Sequence, residues 1–185
     1  MIETTRLELR PLMSSDHRAL DMLFSDQQAM NSSINGSKTS EEVMVWLTAQ
    51  IAKSKDKSGI SLLAVKQKLN AQVIGYCGLT LFPDIDGSAE IEIGYRLIRK
   101  YWGSGYATEA ATAVRDYAFI ELKLTRLVAL IEPINQRSIG VARKIGMAYE
   151  KDIMLEGYDH PDHLYSMNTD KILQQSLATR QGAGR

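Results

Sequence analysis

Residues 89–114, which read AEIEIGYRLIRKYWGSGYATEAATAV, carry the pattern that decides the fold. Their first part alternates acidic and apolar residues with a period of two, which predicts a half-buried strand with Glu90 and Glu92 on one face. A glycine-rich turn follows, and beyond it Ala110, Ala111 and Val114 recur at helical spacing. A strand, a glycine turn and a helix start in direct succession are typical of a phosphate-binding site.

The start of that helix explains how such a turn can hold an anion. The first backbone N–H groups of a helix have no partner within the helix, and the macrodipole adds partial positive charge there. Gly103 and Gly105 carry no side chain, so the backbone can approach a ligand closely. The segment therefore predicts a pyrophosphate site that needs no lysine.

Two other kinds of nucleotide site place glycines in a similar turn. A P-loop is excluded because Gly105 is followed by Tyr106 and not by Lys-Ser/Thr. A dinucleotide site is the closer rival, since Gly103-x-Gly105 opens a helix and Glu132 ends a later predicted strand, where an acid could bind ribose. Thr108 opposes this reading because it stands where the third glycine is needed, and the preceding strands form a meander rather than a parallel start.

A second motif downstream makes the pattern specific. Trp102-x-x-Gly105-x-Ala107 resembles the (Arg/Gln)-x-x-Gly-x-(Gly/Ala) pyrophosphate loop of the GNAT N-acetyltransferases. Residues 133–138 (PINQRS) and 142–147 (ARKIGM) resemble that family's P-x-N-x-x-S and K-x-G-(F/M) segments. The likeness extends over about residues 5–170. In its details the sequence is similar to the branch named for ribosomal-protein N-terminal acetyltransferases (RimJ/RimL-like).

The resemblance implies a fold, a co-substrate and the residues that hold it. The fold would be α/β, of the α+β type, with a mixed, mostly antiparallel sheet, helices on both faces and a splay between the two central strands. The co-substrate would be acetyl-CoA, with its pantetheine arm bonded near Leu97 and to Asn135 and its nucleotide end assisted by Lys144. The residues expected to bind the pyrophosphate follow one another: Trp102, Gly103, Ser104, Gly105, Tyr106, Ala107 and Thr108.

The same resemblance gives the acidic strand a chemical role. An attacking amine must lose a proton, because α-amines and lysine side chains have unperturbed pKa values of roughly 8 and 10.4. Glu92 matches the position from which many relatives draw their general base, so it is preferred to Glu90. The alternative for both glutamates is a solvated position on an edge strand.

The proton donor to the leaving thiolate is where the chain departs from the family. Many relatives carry a tyrosine four residues before the glycine of the K-x-G segment, but this chain has Ala142 there. Ser138 is the substitute that the branch implies, although Ser138 and Asn135 also suit plain helix capping. Trp102 in place of Arg or Gln is a second departure, and it leaves most of the phosphate binding to backbone amides.

The remaining pattern predicts a single domain over residues 1–177 and a disordered tail over residues 178–185. Ser14 and Ser15 are expected to cap a first helix, and Thr39 with Glu42 forms a capping box at the start of a second. Further strands are predicted at residues 5–12, 60–66, 72–79, 127–132 and 164–167, and a last helix at residues 138–145.

Composition narrows the classes of partner. The 22 basic and 22 acidic residues give a net charge of zero, which predicts no nucleic-acid or membrane partner. No apolar run resembles a signal peptide or a bilayer span, so a cytoplasmic location is expected. Cys77 is predicted to be a buried thiol, and His160 and His163 to lie in a surface loop rather than at a metal.

The resemblance, which these patterns permit, implies an enzyme that transfers the acetyl group of acetyl-CoA directly to a primary amine, without a metal. The acceptor stays open between a peptide α-amine and a small-molecule amine, with Tyr158, Asp159 and His160 expected to border its pocket. A monomer and a homodimer both stay open. Two alternatives remain, an acyl-CoA-binding sensor without turnover, which Ala142 would suit, and less favoured, an NAD(P)-binding enzyme.

Overall fold

The computed structural model describes residues 1–31, 36–56 and 58–169, which form an open eight-stranded sheet with helices against it. The strands are β1 (Ile2–Glu3), β2 (Leu7–Pro11), β3 (Leu62–Gln67), β4 (Val73–Ile85), β5 (Ser88–Leu97), β6 (Arg126–Ile131), β7 (Ala148–Ile153) and β8 (Asp162–Asn168). The α-helices are α1 (His17–Phe24), α2 (Ser40–Lys53), α3 (Tyr106–Ile120) and α4 (Gln136–Lys144).

The sheet contains one parallel pair of strands, at its centre. Its order is β1-β2-β3-β4-β5-β6-β8-β7, and every neighbouring pair is antiparallel except β5 and β6. These two strands are parallel and meet at one register position, Glu92 opposite Val128, beyond which they part. The predicted mixed, mostly antiparallel sheet with a splay between its central strands is confirmed.

Helices cover both faces of this sheet, as expected. Val114 of α3 and Ile139 of α4 are buried against side chains such as Leu127 on one face. On the other face, Leu20 of α1 and Leu47 of α2 are fully buried in a separate apolar cluster. Because side chains alternate across a strand, β3 and β4 contribute to both clusters.

The helix starts agree with the sequence in one case and differ in another. Thr39 and Glu42 form the predicted capping box of α2, with the Thr39 amide donating to Glu42 Oε2 at 2.7 Å. The prediction that Ser14 and Ser15 cap α1 is wrong, because both lie in a 3-10 turn without a side-chain cap. Asp16 closes that turn instead, since its carboxylate accepts from the Met13 amide at 2.9 Å.

Several strand and helix bounds also differ. β4 continues to Ile85 instead of ending at residue 79, and α4 begins two residues before the predicted start. β1 and β7 were not predicted at all. In β7 every residue except Ile153 is exposed, so its sequence shows no alternation that could reveal a strand.

The fold does not test the predictions about the tail, the domain bounds and the cellular location. The predicted tail over residues 178–185 lies outside the described residues, and the single domain over residues 1–177 stays a prediction. Among the described residues, no helix combines the length and the apolar character that a bilayer crossing requires. The cytoplasmic location also stays a prediction.

Packing of α1 against the sheet can be tested by two substitutions on the same helix. Leu20 is fully buried, whereas Met22 is 51% exposed. We expect Leu20→Ala to lower the free energy of unfolding by about 2–5 kcal/mol through lost burial and a cavity. Met22→Ala should change it by no more than about 0.5 kcal/mol. Urea denaturation of both variants measures this difference, and equal losses would contradict the described orientation of α1.

Candidate active site

The glycine turn has the backbone that the sequence predicts for an anion site. Gly103 and Gly105 have φ angles of +73° and +82°, a left-handed conformation that favours glycine, and Gly105 is the residue from which α3 begins. A Cβ added at Gly103 would meet nothing within 4 Å, so the turn is open to a ligand. Ala107 and Thr108 lie in the first turn of α3, where backbone N–H groups lack helical partners.

An arginine from the start of β2 holds this turn in place. Arg6 Nη1 donates to the Ser104 carbonyl at 2.9 Å, and its guanidinium lies 4.4 Å from the centre of the Tyr106 ring. Its Nε pairs with Glu109 of α3 at 2.6 Å. Arg6 lies about a hundred positions from the turn, so sequence spacing gave no sign of this contact.

Trp102 fills the place of the usual Arg or Gln by packing and by one hydrogen bond. Its indole nitrogen donates to the Leu97 carbonyl at 2.7 Å. The guanidinium of Arg137, from the first turn of α4, lies 5.1 Å from the centre of the Trp102 ring. A cation is therefore present beside the turn, although it comes from a residue that the motif leaves unspecified.

The two glutamates of β5 have different surroundings. Glu90 is bound by the Arg126 guanidinium, whose Nε lies 3.0 and 3.1 Å from its two carboxylate oxygens. Arg126 also pairs with Glu150, so Glu90 belongs to a charged network. That network explains Glu90 without a catalytic role.

Glu92 is half-buried beside the gap between β5 and β6. Its Oε1 accepts from the Leu130 amide at 3.4 Å. Burial raises the pKa of Glu92 to about 7, with the Leu130 hydrogen bond opposing the rise and the charge of Asp162 adding to it. A carboxyl group with such a pKa can take up and release protons near neutral pH.

On the opposite face of β5, the hydroxyl group of Tyr95 pairs with that of Ser138 from α4. The Tyr95 hydroxyl donates to Ser138 Oγ of α4 at 3.1 Å. Burial raises the pKa of Tyr95 to about 12, which keeps the phenol protonated at neutral pH. Ala142 is buried on the same helix. Sequence reasoning found Ser138 but missed Tyr95, which only the register of β5 against α4 brings to it.

Asn135 has the capping role that was its simpler interpretation. Its Oδ1 accepts from the Ser138 amide at 3.1 Å and so caps α4. Lys144 is exposed at the other end of α4. The neighbouring Ile145 carbonyl accepts from Arg115, which lies nine residues, about 14 Å, along α3 from Tyr106. The end of α4 that carries Lys144 therefore contacts α3 well beyond its first turn, and the role of Lys144 at the nucleotide end stays a prediction.

Three further groups lie near the end of β6. Glu132 follows β6, Asp162 begins β8, and the His160 ring lies 3.7 Å from an oxygen of each. His160 lies in a loop as predicted, but the prediction is wrong for His163, which lies in β8. Among the described residues, no group of three or more His, Cys, Asp or Glu is arranged to hold a metal ion. Cys77 is fully buried and burial raises its pKa, as expected for a structural thiol.

Comparison with known proteins agrees with this geometry. The family profile of the acetyltransferase (GNAT) domain matches residues 6–148. YkkB of Bacillus subtilis is 37% identical over 151 residues, which cover 81% of this chain and 86% of YkkB. A GNAT-family acetyltransferase structure from Bacillus anthracis is 25% identical with a TM-score of 0.79, covering 91% of this chain and 98% of the other.

One solved structure contains coenzyme A, the molecule that remains when acetyl-CoA has given up its acetyl group. RimL, described as a ribosomal L7/L12 alpha-N-protein acetyltransferase in complex with coenzyme A, superposes with a TM-score of 0.72 over 90% of this chain and 96% of its own. At 20% identity this likeness shows the fold alone. The family profile carries the assignment: this chain belongs to the GNAT family of acetyl-CoA-dependent acetyltransferases.

Proposed function

We propose that this chain transfers the acetyl group of acetyl-CoA directly to a primary amine, with Glu92 as the general base. The observation that carries the proposal is a half-buried carboxylate at the parting of β5 and β6 whose pKa is raised to about 7. A general base is most effective when its pKa lies near the working pH. Glu92 meets that condition, and Glu90 is bound by Arg126.

Side chains alternate along β5, which places the proposed base and Tyr95 on opposite faces of the sheet. Glu92 lies on the face of α1 and α2, and Tyr95 on the face of α3 and α4. The amine then approaches Glu92 from one face while the thioester lies in the gap. The nitrogen forms a bond to the acetyl carbon, the carbon–sulfur bond breaks, and Glu92 accepts the amine proton.

Ser138 is the proposed proton donor on the thiolate side. Because its Oγ accepts from Tyr95, its own hydroxyl hydrogen can point to another acceptor. Tyr95 is then a positioning residue that fixes the orientation of that hydroxyl. Asn135 would support both by holding the first turn of α4, in addition to the contact with the pantetheine arm that the family motif implies.

The proposed phosphate contacts come from the glycine turn and its neighbours. The residues of this cradle are Trp102, Gly103, Ser104, Gly105, Tyr106, Ala107 and Thr108, with the backbone near Leu97 proposed to bond the pantetheine arm. Arg6 holds the turn in place and Arg137 adds a positive charge beside it. The motifs of this region also favour the branch of ribosomal-protein N-terminal acetyltransferases, with a cytoplasmic enzyme as the expectation.

Ligand-dependent thermal stability tests the cradle. Acetyl-CoA and free CoA should each stabilise the fold, by about 2.7 kcal/mol when the ligand is at a hundred times its Kd, whereas NAD should not. Differential scanning fluorimetry with the three ligands measures this. A shift with NAD and none with CoA would restore the dinucleotide reading.

Replacement of the proposed base tests the chemistry. Glu92→Gln removes the proton acceptor, so kcat should fall by roughly 10²- to 10⁴-fold while the KM for acetyl-CoA hardly changes. For the wild type, kcat/KM should rise with pH through about 7, as Glu92 loses its proton, and the variant should lack this step. Thiol release measured from pH 5.5 to 9 with a panel of amines provides both numbers.

The stability of the same variant gives an independent control. The folded-state pKa of Glu92 lies above its unfolded value, so folding favours the protonated form and wild-type stability should fall as pH rises from about 4.5 to 7. Glu92→Gln should lose less stability over this interval.

Glu90→Gln should keep turnover but destabilise the fold, because Arg126 loses a charged partner. A wild type that binds CoA and acetylates none of the amines would favour the sensor.

Removal of two hydroxyl groups tests the thiolate side. Ser138→Ala should lower kcat by about tenfold, less than the hundredfold typical of a general acid, because a thiolate with a conjugate-acid pKa of roughly 8.5 needs little help. Tyr95→Phe should lower kcat less and leave the KM for the amine unchanged. Tyr149→Phe, at an exposed position, is the matched control. Full activity of Ser138→Ala would remove Ser138 from the mechanism.

A further inference from the structure

Two carboxylates lie beyond Glu92 on the same face of the sheet. β6 pairs with β8 so that Leu130 lies opposite Leu164. Glu132 stands two residues after Leu130, and Asp162 two residues before Leu164, so alternation places both side chains on one face. That face also carries Glu92, which is paired with Val128 and bound to the Leu130 amide.

Each of these carboxylates has one oxygen that no described residue satisfies. Glu132 Oε2 and Asp162 Oδ1 are buried and have no hydrogen-bond partner among the described residues. Asp162 as a whole is only 6% exposed. Buried polar atoms are nearly always paired in native proteins, so two unpaired carboxylate oxygens in one place point to a missing donor.

Within the described ranges, the neighbouring cations do not supply that donor. The His160 ring lies 3.7 Å from Glu132 Oε1 and from Asp162 Oδ1, beyond hydrogen-bond length. Arg126 is engaged by Glu90 and Glu150. Arg96 acts on Glu92 through its charge, but its Nη1 donates to the Met30 sulfur at 2.7 Å.

Electrostatics favours a positive charge at this place. Burial raises the pKa of Asp162, and the charge of Glu132 adds to the rise while His160 opposes it. Asp162 also raises the pKa of Glu92, so Asp162 is repelled by both Glu132 and Glu92. A ligand cation that donates hydrogen bonds would relieve this repulsion and satisfy both free oxygens.

We infer that Glu132 and Asp162 form a subsite for a second, protonated nitrogen of the acceptor, so that the preferred substrates are aliphatic diamines. This inference rests on the proposed acetyl transfer at Glu92. Leu130 and Glu132 are two residues apart, which separates the two positions by about 7 Å along the strand. A chain of a few methylene groups spans this distance, with the neutral nitrogen at Glu92 and the ammonium at the subsite.

Three acceptors with the same number of carbon atoms test the subsite without any mutation. 1,4-Diaminobutane and butylamine differ in one terminal ammonium group, and 4-aminobutyrate places a negative charge there instead. We expect kcat/KM to be at least about tenfold higher for 1,4-diaminobutane than for butylamine, and 4-aminobutyrate to be the poorest of the three. Equal values for the diamine and butylamine in an active enzyme would overturn the subsite and leave the proposed function standing.

Substitutions then locate the preference. Glu132→Gln and Asp162→Asn should each lower kcat/KM for 1,4-diaminobutane several-fold more than for butylamine. Glu156→Gln removes an exposed carboxylate between β7 and β8 and should keep the wild-type ratio. A ratio that neither Glu132→Gln nor Asp162→Asn changes would overturn the assignment, and Glu132→Gln alone suffices if Asp162→Asn does not fold.

Direct binding separates failure of the subsite from failure of the proposed function. Calorimetric titration of each amine into the CoA-bound protein measures affinity without turnover. If no amine is acetylated but 1,4-diaminobutane binds at least about tenfold more tightly than butylamine, and Glu132→Gln removes the difference, the subsite is supported and acetyl transfer is not. Equal binding of the two amines overturns the subsite whatever the activity.

Discussion

The two central strands of the sheet pair at one position, Glu92 with Val128, and then separate. Every backbone group beyond that point needs a new partner, because a buried unpaired donor costs about 1–3 kcal/mol. The Leu130 amide finds its partner in the Glu92 carboxylate. The position of Glu92 therefore follows from the break in the sheet, and its burial raises the pKa that suits it to proton transfer.

The alternation of side chains along β5 turns this gap into a site with two distinct sides. Glu92 lies on one face, and Tyr95, three residues later, lies on the other and reaches Ser138 of α4. The same strand runs on to the Arg99–Tyr101 turn and the glycines that open α3. One continuous segment thus carries the proposed base, the partner of the proposed acid and the phosphate cradle, at separations fixed by backbone geometry.

The sequence revealed what depends on local pattern and missed what depends on register. Period-two alternation identified the acidic strand, and the glycines identified the turn, because each feature lies within one element. β7 was missed because its residues are almost all exposed, and it forms only by pairing with β8. Arg6, Tyr95 and the Glu132–Asp162 pair were missed for a related reason, since residues distant in the chain bring each of them to the site.

A net charge of zero conceals an uneven distribution of charge around the gap. Arg137 lies beside the turn proposed for the anionic pyrophosphate, whereas Glu92, Glu132 and Asp162 share the face proposed for the amine. The raised pKa of Glu92 has a cost, because a carboxyl group that is partly protonated at neutral pH is an incomplete base. A cation bound between Glu132 and Asp162 would reduce the repulsion of Glu92 by Asp162 and favour the charged form of Glu92. Binding of an acceptor with a second, protonated nitrogen would therefore also activate the base, so recognition of that nitrogen and proton transfer from the attacking one would be coupled through one electrostatic field.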